Sequence, residues 1–155
     1  MSRTNQIRRM TAADLDQVIE IAAALEQAPH WPRQAYAVAL DPDAEPKRIA
    51  LVATEAEPGG VRGFAIASLI PPQAELESIA VAAASQRRGV ARRLFSALRA
   101  EFEPQGITEV ILEVRASNRP ALQFYSSMGF VETARRPRYY VDPVEDAILL
   151  SLPGA

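Results

Sequence analysis

Apolar residues recur at three- and four-residue spacing in four segments of the chain, which predicts four amphipathic helices. Two of them lie near the amino terminus, over about 15–27 and 33–40. The other two lie in the second half, over about 90–102 and 120–128. Gly129 follows the last segment and is typical of the residue at which a helix ends.

Shorter apolar runs predict seven strands between these helices. They fall at about 7–9, 48–55, 61–69, 75–81, 108–114, 130–138 and 146–152. Residues 57–60, Glu-Pro-Gly-Gly, predict a hairpin turn. The order β-α-α-β-β-β-α-β-α-β-β predicts a single domain over residues 1–155, of mixed α/β (α+β) class. We expect a central, mostly antiparallel twisted sheet of about seven strands, with helices on both faces.

Composition is that of an ordinary globular protein, with 48% hydrophobic and 23% charged residues. No apolar run approaches the roughly 20 residues of a membrane span, and the first ten residues are polar, so we expect a cytoplasmic protein without a membrane partner. The absence of Cys excludes a thiol nucleophile and Cys-based zinc sites. With a single His in addition, we expect no metal site.

Charge is unevenly distributed along the chain. The net charge is −2, but residues 85–138 hold ten Arg against five Glu. The positive charge is concentrated at the start of one predicted helix and in a short cluster at 135–138, without interleaved aromatic residues near the first. This pattern favours a phosphorylated small molecule over a nucleic acid as the partner.

The stretch 76–102 combines a predicted strand, a turn with one glycine and a basic amphipathic helix. At such a turn the first backbone N–H groups of the helix have no intrahelical partner, and the helix dipole adds partial positive charge. Gly89 allows close approach of a ligand to the backbone. The guanidinium groups of Arg87, Arg88, Arg92 and Arg93 surround the same point. An anion with several phosphate oxygens is therefore expected here.

The turn itself, Gln-Arg-Arg-Gly-Val-Ala at 86–91, resembles the Gln/Arg-x-x-Gly-x-Gly/Ala loop of the GNAT N-acetyltransferases. In that family the loop holds the pyrophosphate of acetyl-coenzyme A (acetyl-CoA). The resemblance implies cofactor contacts at Ile79, Ala80, Val81, Gln86, Arg87, Arg88, Gly89, Val90, Ala91, Asn118 and Tyr125.

A second block, at 112–118, 121–125 and 128–130, is similar to the part of the same family in which a strand ends at an Asn and the next helix carries a Tyr. The resemblance implies that Asn118 meets the cofactor and that Tyr125 meets its sulfur. Together the two blocks cover about half of the chain in the order and spacing of the family.

A third block, Arg-Tyr-Tyr at 138–140 followed by Glu-Asp-Ala at 145–147, is similar to the tail of protein Nα-acetyltransferases, above all the bacterial ribosomal-protein-alanine (RimI-type) enzymes. Val141 stands where a Pro is often found, and Asp142-Pro143 lengthens the loop. We expect acceptor contacts at the predicted strand residue Glu77 and at Pro29, His30, Trp31, Tyr139 and Tyr140.

The resemblance implies transfer of an acetyl group to an amine, most directly the α-amino group of a protein N-terminus. Glu113 is the candidate base, because it lies between apolar strand residues that would partly desolvate it. Glu77 is the rival, since Glu75 and Glu77 share a face by the two-residue strand period. Tyr125 is the candidate acid for the departing thiolate.

Two alternatives stay open at this point: acetylation of a small-molecule amine or a Lys side chain, and a non-catalytic module that binds coenzyme A. We expect a monomer or a weak dimer.

Overall fold

The computed structural model describes residues 6–55 and 59–154. The elements in these ranges are β1 Gln6–Arg9, α1 Leu15–Ala24, α2 Arg33–Leu40, β2 Lys47–Thr54, β3 Val61–Ile70, β4 Gln73–Val81, α3 Val90–Phe102, β5 Glu109–Arg115, α4 Arg119–Ser127, β6 Val131–Tyr140 and β7 Glu145–Pro153. The predicted order is confirmed, although part of the hairpin turn predicted at 57–60 lies outside the described residues. No helix in these ranges is long and apolar enough to cross a membrane.

All seven strands form one sheet in the order β1-β2-β3-β4-β5-β7-β6. Neighbouring strands are antiparallel except β4 and β5, which are parallel. These two strands are in register only where residues 73–75 meet residues 109–111. Beyond that point they diverge and open a gap in the middle of the sheet.

A β-bulge in β4 lies at the start of this gap. Leu76 pairs with Ala67 of β3, and Ser78 pairs with Ile66, so Glu77 is an extra residue on β4. A bulge bends its strand and increases the local twist. Glu75 and Glu77 nevertheless lie close together, since the charge of Glu77 raises the pKa of Glu75.

Helices cover both faces of the sheet, as predicted, and each face has its own hydrophobic core. On one face α1 and α2 pack through residues such as Val18 and Tyr36 against β2 and β3. On the other, α3 packs through Leu94, Leu98 and Phe102. Alternate strand residues supply the two cores, because successive strand side chains point to opposite faces.

Two element ends differ from the prediction. Helix α1 stops at Ala24 rather than near Gln27, because Leu25 is extended at φ −109°, ψ 117°. Residues 25–28 therefore become a connection rather than a last helical turn. At the other end of the chain β6 continues to Tyr140, so the Tyr pair belongs to the strand instead of following it.

An ion pair between the half-exposed Arg8 and the buried Asp14 ties β1 to the start of α1. Both guanidinium nitrogens of Arg8 donate to the Asp14 carboxylate at 2.8 Å, and the Thr11 N–H donates to Asp14 Oδ2 at 2.8 Å. The Arg8 hydrogen bonds lower the pKa of Asp14, those from Thr11 lower it further, and burial opposes them. Asp14 is only 4% exposed, so its charge depends on these partners.

We expect Asp14→Asn to lower the free energy of unfolding by about 2 kcal/mol at pH 7, since it removes a charge-assisted bidentate contact. A carboxyl whose folded-state pKa is depressed contributes stability above its unfolded pKa of about 3.9 and loses it as the pH falls through the folded value. The difference between the wild type and this variant should therefore shrink below about pH 4. Urea denaturation at several pH values measures it.

The matched control is Asp16→Asn, because the Asp16 side chain is 85% exposed on the same helix. We expect this control to lie within about 0.5 kcal/mol of the wild type. A loss for Asp14→Asn that is the same at pH 7 and pH 3 would contradict an electrostatic role.

Candidate active site

A cavity of about 690 Å³ lies where β4 and β5 diverge. Its walls are the α1–α2 connection at 25–30, β4 at 76–81, β5 at 112–115 and the start of α4. Apolar and polar side chains contribute to these walls in about equal number. Such a cavity is typical of a binding site for a small molecule.

The β4 wall offers unpaired backbone to this cavity. In the described part of the chain, residues 76–81 have no strand partner on the β5 side, whereas their other edge pairs with β3. Only the end of the strand is closed, because Gln86 Nε2 donates to the Val81 carbonyl at 3.0 Å. An extended ligand could hydrogen-bond along this edge as an added strand would.

At its far end β4 leads to the N-terminus of α3. Gly89 is the N-cap at φ +79°, a conformation that glycine adopts without strain. The Arg93 side chain folds back on the loop, with Nη1 donating to the Arg88 carbonyl at 3.1 Å. The Val90 side chain is buried in the core, so only its backbone N–H is available to a ligand. Free N–H groups and arginines thus meet at one point, as expected for an anion site.

Helix α4 carries Tyr125 into the cavity. Asn118 is the N-cap of this helix and accepts a hydrogen bond from the Ala121 N–H at 3.3 Å. The ring of Tyr125 packs edge-on against Phe124 and Phe130, with centroid distances of 5.3 and 5.4 Å. Burial raises the pKa of the Tyr125 phenol, so the phenol stays protonated at neutral pH and can donate a proton.

Glu113 lies on β5 on the opposite wall. Its Oε2 atom is buried without a hydrogen-bond partner among the described residues. The other oxygen, Oε1, lies 3.9 Å from Arg136 Nη2, which is too far for a hydrogen bond. The carboxylate therefore has a cation nearby but keeps free capacity to accept hydrogen bonds.

Glu77 is differently placed, because its carboxylate is already engaged. Arg48 donates to it from Nε at 2.8 Å and from Nη2 at 3.4 Å. Both side chains are about four-fifths buried. The neighbouring Glu75 has a raised pKa, caused by desolvation and then by the charges of Glu77 and Glu113. A patch of negative charge therefore borders the cavity on this side.

Tyr140 closes the cavity near the end of β6. Its ring lies 4.3 Å from the guanidinium carbon of Arg115, a distance typical of a cation–π contact. The same guanidinium group bonds to Glu145 at 3.2 Å and to the Pro143 carbonyl at 3.3 Å. Burial raises the pKa of Tyr140. Arg115 therefore fixes both the aromatic wall and the loop behind it.

The structure brings most of the predicted site residues together. Those that line the cavity are Pro29, His30, Glu77, Ile79, Ala80, Val81, Gln86, Glu113, Asn118, Tyr125 and Tyr140. The loop residues Arg87, Arg88, Gly89, Val90 and Ala91 lie beyond its end, at the start of α3. Trp31 instead packs on Tyr36 with a ring distance of 5.2 Å, and Tyr139 is half exposed beside the Tyr140 ring.

Sequence analysis missed several residues that line the cavity. Residues 25–28 form part of a wall because α1 ends early, and His30 Nε2 lies 2.9 Å from the Leu25 carbonyl within this connection. Pro29 was the available signal, since a proline disfavours helical conformation in the residue before it. Arg115 and Ser78 had no local signal. The partner of Arg115, Glu145, is distant in the sequence, and Ser78 lines the cavity only because β4 and β5 diverge.

Comparison with known proteins gives consistent results. The model of the acetyltransferase (GNAT) family matches residues 15–130. Over 97 residues the chain is 42% identical to the ribosomal protein bS18-alanine N-acetyltransferase of Escherichia coli (strain K12). The matched segment spans 61% of this chain and 66% of that protein, just under two thirds of its length.

Two solved structures are also similar. The crystal structure of the ribosomal-protein-S18-alanine N-acetyltransferase from Escherichia coli has a TM-score of 0.82 and 32% identity, over 97% of this chain and 94% of that one. Ard1 from Thermoplasma volcanium has a TM-score of 0.83 and 27% identity, over 98% and 99% of the two chains. The predicted fold is confirmed, and the chain belongs to the acetyltransferase (GNAT) family.

Proposed function

We propose that this protein transfers the acetyl group of acetyl-CoA to the α-amino group of a protein N-terminus. The observation that carries the proposal is that a carboxylate, Glu113, and a protonated phenol, Tyr125, line one cavity. This cavity lies beside an unpaired strand edge that leads to a helix N-terminus with arginines. The arrangement supplies an acid, a base and a site for a phosphorylated donor.

The donor site uses the open edge of β4 and the loop at 86–91. Backbone groups of 76–81 can hydrogen-bond an extended arm, and the N–H groups after Gly89 can hold a diphosphate. Arg87 and Arg88 are exposed at this loop, and Arg92 reaches α4 through a hydrogen bond of 2.6 Å to Ser127 Oγ. The described residues thus fit acetyl-CoA along the length from thioester to pyrophosphate.

Glu113 is the better of the two candidate bases. A base must have a lone pair that can accept the proton of the incoming ammonium group. The Glu113 Oε2 atom has no partner, whereas both oxygens of Glu77 accept hydrogen bonds from Arg48. Protonation of Glu77 would weaken its pairing with Arg48. We therefore assign the base to Glu113 and a structural role to Glu77.

Tyr125 is the proton donor to the leaving group. The amine loses a proton to Glu113, the new N–C bond forms as the C–S bond breaks, and the sulfur takes the phenolic proton of Tyr125. The acylated nitrogen then gives up its second proton, which returns the Tyr125 phenolate to the phenol, and Glu113 releases the first proton to solvent. A tyrosine phenol is protonated at neutral pH, so the proton is present when the thiolate departs.

The acceptor enters between the connection at 25–30 and Tyr140. An α-amino group has a pKa near 8, whereas a Lys side chain is near 10.4, so a single carboxylate suffices for the former. The Escherichia coli relative is named for the alanine of a ribosomal protein, and the acceptor proposed here is of that class. We also propose that the protein acts in the cytoplasm and that it is a monomer or a weak dimer.

The acceptor class is tested with three substrates at fixed acetyl-CoA: a peptide beginning Ala-Arg, its N-terminally blocked twin carrying an internal Lys, and a free polyamine. We expect turnover only with the free N-terminus. Thiol release is a clean measure, because the chain has no Cys to react with a thiol reagent. Turnover of the blocked peptide or the polyamine would replace the proposal with a Lys or small-amine acceptor. Binding of coenzyme A without any turnover would leave a non-catalytic module.

The donor site predicts that Gly89→Ala weakens binding of coenzyme A about tenfold. An added Cβ would lie 3.3 Å from Arg93 Nη1 and would strain the φ of +79° by about 1 kcal/mol. Gly106→Ala is the matched control, because Gly106 has a φ of +75° with no described atom within 4 Å of the added Cβ. Both variants should lose similar thermal stability, but calorimetric titration should show weaker binding only for Gly89→Ala. Equal affinities would remove the loop from the donor site.

The assigned roles predict that Glu113→Gln and Tyr125→Phe each lower kcat by about 10²-fold. Neither change alters the shape of the side chain greatly, so the affinity for coenzyme A and the Tm should stay close to wild type. Glu77→Gln should mainly lower the Tm, because it breaks the pair with Arg48. If Glu77→Gln lost activity at unchanged stability while Glu113→Gln remained active, Glu77 would be the base and Glu113 would have the structural role.

A further inference from the structure

Three side-chain polar atoms in the described part of the chain are buried without a hydrogen-bond partner: Tyr36 Oη, Ser78 Oγ and Glu113 Oε2. Ser78 and Glu113 belong to residues that line the cavity, whereas Tyr36 does not. Buried polar groups are nearly always paired in folded proteins. Two unpaired atoms on opposite walls of one cavity therefore need a common explanation.

Ser78 and Glu113 lie at the same level of the sheet. Glu75 is in register with Ile111 of β5, and two residues further along β5 is Glu113. On β4 the bulge at Glu77 shifts the strand, so Ser78 comes opposite this position across the gap.

The two side chains also share a face of the sheet. Leu112 and Val114 belong to the core beneath α3 and α4, so Glu113 between them points to the other face. Ser78 pairs with Ile66, whose side chain belongs to the core on the α1–α2 side. Both polar groups are therefore on the α1–α2 side, which is where the connection at 25–30 closes the cavity.

The missing partner must be a hydrogen-bond donor, because a carboxylate oxygen only accepts. A serine hydroxyl can accept as well, and rotation about χ1 can turn it between staggered positions without moving the backbone. An ammonium group carries three N–H bonds and matches both atoms at once.

We propose that Ser78 is an acceptor-binding residue, whose hydroxyl receives one N–H of the acceptor amine while Glu113 Oε2 receives another. This inference rests on the proposed function, because it concerns the amine that Glu113 deprotonates. The two contacts hold the nitrogen beside the carboxylate that takes its proton. Ser78 thus helps to position an acceptor whose nitrogen carries at least two N–H bonds.

The first test is Ser78→Ala, with Ser68→Ala as the matched control. Ser68 is an equally buried serine on β3, but it is not among the described residues that line the cavity. We expect Ser78→Ala to lower kcat/KM for the peptide acceptor about tenfold, with an unchanged Kd for coenzyme A, while Ser68→Ala retains the wild-type kcat/KM. A kcat/KM within twofold of wild type for Ser78→Ala, or an equal loss for Ser68→Ala, would overturn the inference.

The Tm of Ser78→Ala provides a second test, because a serine that only packed in the core would not make the protein more stable when it is truncated. Removing a buried hydroxyl that has no partner should stabilise the free protein, so Ser78→Ala should raise the Tm by about 3 °C. A lower Tm would mean that the hydroxyl is satisfied inside the protein, and would refute the argument.

A double-mutant cycle with Glu113→Gln tests whether the two groups hold the same atom. If they do, the effect of Ser78→Ala on kcat/KM should be clearly smaller in the Glu113→Gln background. Independent, multiplicative losses would contradict the shared amine. Wild-type enzyme that acetylates no free N-terminus would overturn the proposed function and this inference with it, whereas an active wild type with an unaffected Ser78→Ala enzyme would overturn the inference alone.

Discussion

The active site depends on an interruption of β-pairing between β4 and β5. The two strands are hydrogen bonded along three residues and then separate, which leaves backbone groups of β4 without a partner strand. Such groups normally carry a large energetic penalty when they are buried away from water. In this protein they border a cavity, where a bound molecule can satisfy them. The candidate binding site is therefore the part of the sheet in which β4 and β5 are not paired.

The gap keeps its width because each wall is anchored on its outer side. β4 pairs with β3 at eight register positions, and β5 pairs with β7 at seven. Each face of the sheet also has its own helices and core. Closing the gap would require both ladders and both cores to shift together. Glu113 and Tyr125 consequently belong to rigid elements, and their separation does not depend on a mobile loop.

Much of this architecture was predictable, because helices and strands leave periodic patterns in the sequence. The turn at 86–91 was also predictable as an anion site, because its glycine, its arginines and the amphipathic helix that follows are adjacent in the sequence. The bulge at Glu77 was not, because it follows from how β4 meets β3. The ion pair of Arg48 and Glu77 likewise joins residues 29 positions apart. No local sequence pattern distinguishes the paired carboxylate of Glu77 from that of Glu113, whose Oε2 atom has no hydrogen-bond partner among the described residues.

One wall of the proposed acceptor site lies on β6, the last strand of the sheet, which has a single neighbouring strand among the described residues. Three residues of β6, 137–139, oppose one residue of β7 between successive register positions, with Arg138 at φ +53°. Lengthening or shortening the chain at this point changes only one ladder and leaves both cores untouched. The side of the cavity that we propose for the acceptor can therefore diversify in evolution at little thermodynamic penalty, while the side that we propose for the donor remains constrained by the rest of the fold.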